Sequence, residues 1–524
     1  MGLALLAALP LIYLHLNTTP FIFDTTVGEA TIHFESSEPR VLFPGQCTRL
    51  SWNVEHIKAV YINDRGHIGQ DSKISCNTDR LPTMRVNFLD ETERQFRAPI
   101  ERLYTNPLVA GLWIIVVAGL VGAAYGLFGI PGALFTLTVI LFWAVTRISI
   151  ETGSDYVIHL RYQQIILDTG DLTALPPHPF YYGLGVATKL LFPGLNLESA
   201  NFAVLLLAYG FGSVALYGLL KSIVGEVSGS KARQALIYIP LTLSLWCVVP
   251  LVTSGNPLNT LIGRPDIPVN MFNSPTLTLL KPFAVLIFLG LAKWLTYTPQ
   301  RRWLPVLVVA FATAAATLTK PNYTMALLPA VGLVLAYQFI KPFRLNRTLA
   351  IAGVIIPAVA VLGWQYLRVY APGAATTLYT AKQSASIGLA PFELFLTHWN
   401  FSIPQLLSGL LLSLVFPITV YLAYFQAARR SLILNLAWLI FFAGQSFAYL
   451  FIEIAYQAAG NMTWGGRITL FVLFAASLGF FLRQNAAVFF NSRQLPRDPR
   501  FYLCAVIYLM HIIPYLQYAH VKIP

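Results

Sequence analysis

Apolar runs about as long as a bilayer is thick recur along most of this chain. They fall at 107–128, 131–149, 200–220, 234–253, 276–297, 303–319, 323–340, 349–369, 401–424, 431–453, 468–482 and 501–517. A helix needs about 17–25 residues to cross hydrocarbon. Backbone polar groups in lipid must be satisfied within the segment, so such runs fold as helices. Together with a shorter run at 2–16, they predict a polytopic α-helical membrane protein of about 13 spans. Charge agrees. Only 11% of the 524 residues are charged, where a soluble chain carries roughly 25%. The net charge of +13 does not point to nucleic acid, because most of the basic excess sits in short loops between apolar runs.

One stretch departs from this pattern. Residues 27–100 alternate in short runs separated by Gly, Pro, Asn and Asp, which predicts a small all-β domain. Asp64-Arg65-Gly66 reads as a hairpin reversal. Cys47 and Cys76 both fall in this domain and are expected to form a disulfide, which would put it outside the cytoplasm. Two buried thiols are the alternative. Cys247 and Cys504 fall in apolar runs and are expected to be inert. Residues 1–20 read as an uncleaved signal anchor, with a cleaved signal peptide as the alternative. Cys47 and Trp52 in PGQCTRLSWNV, with Cys76 later in the chain, resemble a small immunoglobulin-like sandwich of the kind found on bacterial surface proteins. The domain holds no catalytic cluster and reads as a docking or shielding module.

Placing that domain outside fixes the alternation of the loops. The inside loops then carry Lys221, Lys231 and Arg233; Lys293, Arg301 and Arg302; Lys341, Arg344 and Arg347; Arg429 and Arg430; and Arg483, Arg493, Arg497 and Arg500. That is the distribution the positive-inside rule requires. The outside loops become 151–199, 254–275, 320–322, 370–400, 454–467 and the tail after 517. The expected location is a bacterial cytoplasmic membrane.

The loop at 150–199 is too long for a plain connector. It gathers Asp155, Asp168 and Asp171 from a chain with only 22 acidic residues. Residues 157–167 read as an amphipathic stretch with His159, Gln163 and Ile166 on one side. Asp155, just past a span, suits a general base towards an acceptor hydroxyl, and it equally suits a helix cap. His159 follows one helical turn later and would tune that base. Asp168 and Asp171 flank Gly170, either as a turn or as substrate or metal contacts. His178, in PPHPFYY, is a loop histidine or a ligand to sugar or phosphate. Tyr156, Tyr181 and Tyr182 either pack or stack on a sugar. On the same side, Arg264, Lys281, Lys320, Arg368, Lys382 and Arg467 are candidate cations for a phosphate, or they snorkel to lipid headgroups. Arg467 follows Trp464-Gly465-Gly466, read as a flexible turn, and Glu453 is a candidate partner for one of the cations. Asp155 and His159 are too few for a tight zinc site, and a divalent metal stays open.

A span, an acidic residue just beyond it, an aromatic-rich amphipathic stretch and a His-Pro-aromatic motif resemble the first external loop of type C (GT-C) membrane glycosyltransferases. Asn273-Ser274-Pro275-Thr276 with Lys281-Pro282-Phe283, and Thr319-Lys320-Pro321-Asn322-Tyr323, resemble segments of bacterial members. The resemblance covers roughly residues 105–485, within a multi-span region 105–524. It implies transfer of a sugar from a polyprenyl-phosphate donor to a glycan, lipid or protein acceptor outside the cytoplasm, with inversion and with Asp155 at the acidic first-loop position. The adjacent pair of acids usual at that position is absent: Ser154 precedes Asp155, and Glu151 is the nearest acid before it. An O-antigen-type polymerase or ligase is an alternative, although its large loop usually comes late in the chain. A polytopic transporter is another, although no internal repeat and few charges within spans are evident. A non-catalytic scaffold carrying the β domain would not need the acidic loop.

Overall fold

The computed structural model describes residues 2–62, 65–75, 82–152, 154–171, 175–251, 267, 274–296, 303–370, 387–454, 460–491 and 497–515. They form two compact units, one within Met1–Val157 and the other within Ile158–Ala519.

The first unit begins with α1 (Gly2–Leu16) and continues into a β region. One antiparallel sheet runs β1 (Phe21–Val27), β2 (Ala30–Ser36), β4 (Thr48–Glu55), β7 (Gln70–Ser75). The other runs β6 (Arg65–His67), β5 (Ile57–Ile62), β8 (Thr83–Phe88), β9 (Glu93–Arg97). A short parallel pair joins β3 (Arg40–Val41) to β10 (Glu101–Arg102). The period of two explains the core. In β4 Thr48, Leu50, Trp52 and Val54 are buried while the residues between them are not. One apolar cluster takes Ile32, Phe34, Leu50 and Trp52 from the first sheet and Val60, Ile62, Val86 and Phe88 from the second, so the sheets pack face to face. Trp52 Nε1 donates to Ile68 O at 3.0 Å. The β region starts at Phe21, earlier than the expected 27: Phe21–Val27 pairs along its whole length with Ala30–Ser36. Ile62 pairs with Arg65, so Arg65 and Gly66 belong to β6, and Asp64 of the expected hairpin reversal lies outside the described residues. Cys47 is half-buried just before β4; Cys76, its expected partner, lies outside the described residues.

α2 (Pro107–Thr152) comes next, 46 residues long. Straight, it would reach about 69 Å, more than twice the hydrocarbon thickness. It is not straight. Gly129 has φ 66° and ψ −149°, a backbone state open to glycine. Phe43 packs edge-on against both Trp113, at 5.5 Å, and Trp143, at 6.1 Å. Those two tryptophans would be about 45 Å apart in a straight helix, so the chain doubles back at Gly129. The two arms match the expected runs 107–128 and 131–149. Only 11% of the most apolar window of α2 is buried, which suits a hairpin whose sides face lipid.

α3 (Ser154–Thr169) leads into the second unit. After it come α4 (Phe180–Leu191), α5 (Leu197–Val224), α6 (Lys231–Ser244), α7 (Pro275–Trp294), α8 (Trp303–Thr319), α9 (Asn322–Ile340), α10 (Ile356–Tyr370), α11 (Ile403–Ala423), α12 (Phe425–Ala428), α13 (Leu432–Leu450), α14 (Thr463–Gln484) and α15 (Pro499–Met510). A small antiparallel pair joins β11 (Ile387–Leu389) to β12 (Phe451–Glu453). α14 is the axis of this unit. Its most apolar window is wholly buried, and it packs against α5, α7, α9, α11 and α13. A helix apolar on every side needs such enclosure.

Among the described residues, eight helices are long and apolar enough to cross a membrane, with α2 counted once. The expected 13 spans are met in part: reaching that number needs both arms of α2 and four shorter helices, α1, α6, α8 and α15, none of which has 18 residues. The expected run 234–253 is not one helix. α6 stops at Ser244, and Leu245–Cys247 tighten into a 3₁₀ turn. Trp246 there is seated against α5, its Nε1 donating to Ser213 Oγ at 2.8 Å. The last three residues of the run 431–453 form β12, and α15 ends at Met510, short of the expected 517.

Candidate functional site

The side chains with the most concentrated chemistry meet at one end of the second unit, where α7 and α9 begin, α8 ends and α14 begins. Pro321 stops α8 and opens α9, because it lacks an N–H and fixes its own φ. That places Lys320 on a very short turn, half-buried. Lys320 Nζ donates to Thr276 Oγ1 at 3.4 Å in the first turn of α7 and stands 3.7 Å from the centre of the Trp464 ring. The Arg467 guanidinium lies 4.5 Å from the centre of the same ring. Trp464 and Arg467 are three residues apart on α14, and that spacing makes them neighbours on one helix face. Each cation is attracted by the negative face of the indole ring.

Residues 464–467 are helical, which corrects the expectation of a flexible turn. The glycines serve packing. A Cβ on Gly465 would lie 3.1 Å from Gly444 O on α13, and a Cβ on Gly466 would run into Gln445 Oε1. Small residues at 444, 465 and 466 let α13 and α14 close on one another and so set where Trp464 and Arg467 stand. Next to this contact, Asn322 Nδ2 donates to Asn461 O at 2.9 Å, and Asn461 Nδ2 donates to Glu453 Oε2 at 2.6 Å. Burial lifts the Glu453 carboxyl above its ordinary range, with the Asn461 hydrogen bond and the Lys320 charge opposing.

Two histidines border the lysine. His159, on α3, is hydrogen-bonded through Nδ1 to Tyr182 Oη at 2.6 Å, and the ring of Tyr181 meets it edge-on at 5.6 Å. His178 is held between Pro177 and Pro179, its ring 6.2 Å from Tyr182. Burial, with the nearby Lys320 charge added, pushes the pKa of each histidine down to about 3. Both are therefore neutral at physiological pH.

The structure thus gathers His159, His178, Tyr182, Lys320 and Arg467 from the sequence candidates. Tyr156, Tyr181 and Tyr182 are at most 1% exposed. Their rings are buried, which fits the packing alternative of the sequence reading. Asp155 lies in the first turn of α3 and is half-buried. It belongs to the first unit, whereas the cluster belongs to the second. Asp168 is exposed at the end of α3, accepting from Gln164 Nε2 at 2.7 Å, and Asp171 is exposed beyond it. Lys281 lies two turns into α7, 2% exposed, near the rings of Phe471 at 4.7 Å and Trp246 at 5.2 Å. Arg368 Nη2 donates to Leu175 O at 3.0 Å. Arg264 and Lys382 lie outside the described residues. Among the described residues no three His, Cys, Asp or Glu gather as a metal site. Sequence reasoning quoted Trp464, Thr276 and Asn322 only within motifs and assigned no site role to them or to Asn461. The Trp464–Arg467 spacing would have signalled the first of these once a helix was assigned there.

No family model and no curated protein matches this chain. Among solved structures, it aligns with the Archaeoglobus fulgidus oligosaccharyltransferase in the apo form, at 11% identity and a TM-score of 0.39. The alignment covers 74% of this chain and 56% of that one, so this chain spans little more than half of that enzyme. A TM-score of that size does not establish a common fold, and the site is weighed on its own residues.

Proposed function

We propose that the chain is a membrane glycosyltransferase of GT-C type, moving a sugar from a polyprenyl-phosphate-linked donor to an acceptor hydroxyl outside the cytoplasm. The observation that carries this reading is the pairing of Lys320 and Arg467 on Trp464 at the ends of membrane-length helices. A phosphate on a lipid tail arrives at that depth, and two fixed cations suit its charge. In the proposed reaction the acceptor oxygen attacks the anomeric carbon from the face opposite the phosphate. The bond from that carbon to the phosphate oxygen breaks, and the phosphate leaves with the electron pair towards Lys320 and Arg467. Asp155 takes the hydroxyl proton. One displacement inverts the anomeric centre. His159, neutral and fixed by Tyr182, keeps one ring nitrogen for a hydrogen bond to sugar or phosphate. His178, Asp168 and Asp171 are proposed contacts to sugar or acceptor, Lys281 and Arg264 are proposed to add to the positive field, and the β region is proposed to be an immunoglobulin-like docking module outside the membrane, closed by Cys47 and Cys76.

The test is transfer by the purified full chain in lipid, with a panel of labelled polyprenyl-phosphate sugars and membrane extract as acceptor. Wild type is expected to release polyprenyl phosphate and label a product. Asp155→Asn is expected to stop transfer while keeping the wild-type melting profile. Unchanged transfer by Asp155→Asn rejects the base role, and no transfer from any donor rejects the function.

A further inference from the structure

A second cluster of cations lies at the other end of the same axial helix. A cavity of about 180 Å³ is lined by Ser222 on α5, Ala292 on α7, Arg430, Ser431 and the first residues of α13, and Ala476, Phe480 and Arg483 on α14. Arg467 and Arg483 are sixteen residues apart on α14, about 24 Å along the axis. Among the described residues the lining includes Arg430, Arg483, Ser222 and Ser431 and no Asp or Glu. Among the described residues, neither the Arg430 nor the Arg483 side chain has an ion pair or hydrogen bond. The first backbone N–H groups of α13 also border the cavity. Ser431 Oγ accepts from Leu434 N at 3.3 Å, while the N–H groups of Leu432 and Ile433 start a helix and lack intrahelical acceptors. At about 30 Å³ per water, the volume holds roughly six waters, enough for a phosphate group with part of its hydration.

We propose that this cavity is a second phosphate-binding site, separate from the one at Lys320 and Arg467, gripped by Arg430 and Arg483 against the start of α13. The chemistry it selects is a phosphate monoester or diester: two arginines with forked donors, two serines and the start of a helix line one cavity, with no acidic residue among the described lining. The ligand reaches it either as a lipid headgroup or as phosphate in solution.

The experiment uses the purified full chain in nanodiscs. One arm compares retention of fluorescent phosphatidylglycerol and of phosphatidic acid against phosphatidylcholine. The other measures displacement of those probes by inorganic phosphate. Variants are Arg430→Gln with Arg483→Gln, and Arg429→Gln as the control, since Arg429 stacks 5.8 Å from Phe425 and does not line the cavity. The double variant is expected to lose at least tenfold in affinity for the anionic probes, with Arg429→Gln near wild type. Displacement by inorganic phosphate supports a soluble ligand, and resistance to it supports a lipid one. Equal retention in wild type and double variant overturns the proposal, as does equal loss in the Arg429 control. Because none of these readouts uses sugar transfer, a negative result here leaves the reaction at the other end untouched.

Discussion

Gly444→Ala tests how the site is built without touching any group that carries charge. A Cβ at 444 would stand 2.8 Å from Thr469 Oγ1 and 2.9 Å from Gly465 O. Ordinary contact begins near 3.4 Å, so α13 and α14 must separate by roughly half an ångström (3.4 − 2.9). Overpacking of this kind costs about 1–3 kcal/mol. The same shift carries the first turn of α14, and with it Trp464 and Arg467. Misplacement of a catalytic constellation by about 1 Å costs on the order of 100-fold in rate, so half that distance is expected to cost roughly tenfold. The assay is thermal unfolding in detergent beside transfer measured well below the midpoint. Gly444→Ala should melt about 1–3 °C lower and transfer about tenfold more slowly than its folded fraction explains. Gly332→Ala on α9 is the control, because a Cβ there meets nothing within 4 Å. In open helix that change stabilises by up to about 1 kcal/mol. If Gly444→Ala melts like wild type and transfers normally, the glycines do not set the position of the cations.

Other outcomes rest on the same geometry. Tyr182→Phe removes the hydroxyl bonded to His159 Nδ1 and should cost about 1–3 kcal/mol in unfolding free energy, read by denaturant titration; no change would mean the bond is not formed. His159 and His178 have pKa values held near 3 in the folded chain, so below about pH 6.5 the unfolded chain takes up protons that the folded one does not. Stability should therefore fall as pH drops from 6.5 to 5, by up to about 2 kcal/mol per histidine. The pair His159→Gln with His178→Gln should flatten that slope, and an unchanged slope would refute the burial argument. Asp168→Asn with Asp171→Asn, both exposed, should leave unfolding within about 0.5 kcal/mol of wild type. Any effect should appear in KM for the acceptor, and a loss of stability would show that they are structural.

Hydropathy was enough to find the long helices, because lipid-length apolar runs have no other fold open to them. The reversal at Gly129-Ile130-Pro131 was also legible, since glycine and proline mark it locally. The alternation in 27–100 was enough to expect strands, although their edges moved, and its period of two appears in the buried Leu50, Trp52 and Val54. What escaped depends on tertiary contacts. Hydropathy does not report that Trp246 leaves the helical path to seat against Ser213. Trp464-Gly465-Gly466 has the composition of a turn, and only the approach of Gly444 and Gln445 shows why it is helix. Lys320 and Arg467 stood out as isolated charges near the ends of apolar runs, but the indole that joins them was one of 10 tryptophans with no mark of its own. Whether Tyr181 and Tyr182 pack or meet a sugar stayed open, because sequence does not show what covers a ring.

The most direct test of the central claim is the affinity of the purified chain for polyprenyl phosphate, wild type against Lys320→Ala with Arg467→Ala. Each charge-assisted contact to phosphate contributes about 1.5–3 kcal/mol, so, with both chains carrying Arg430→Gln and Arg483→Gln to remove the second site, losing both should weaken binding by at least about 100-fold. Equal affinity in the two chains would contradict the account.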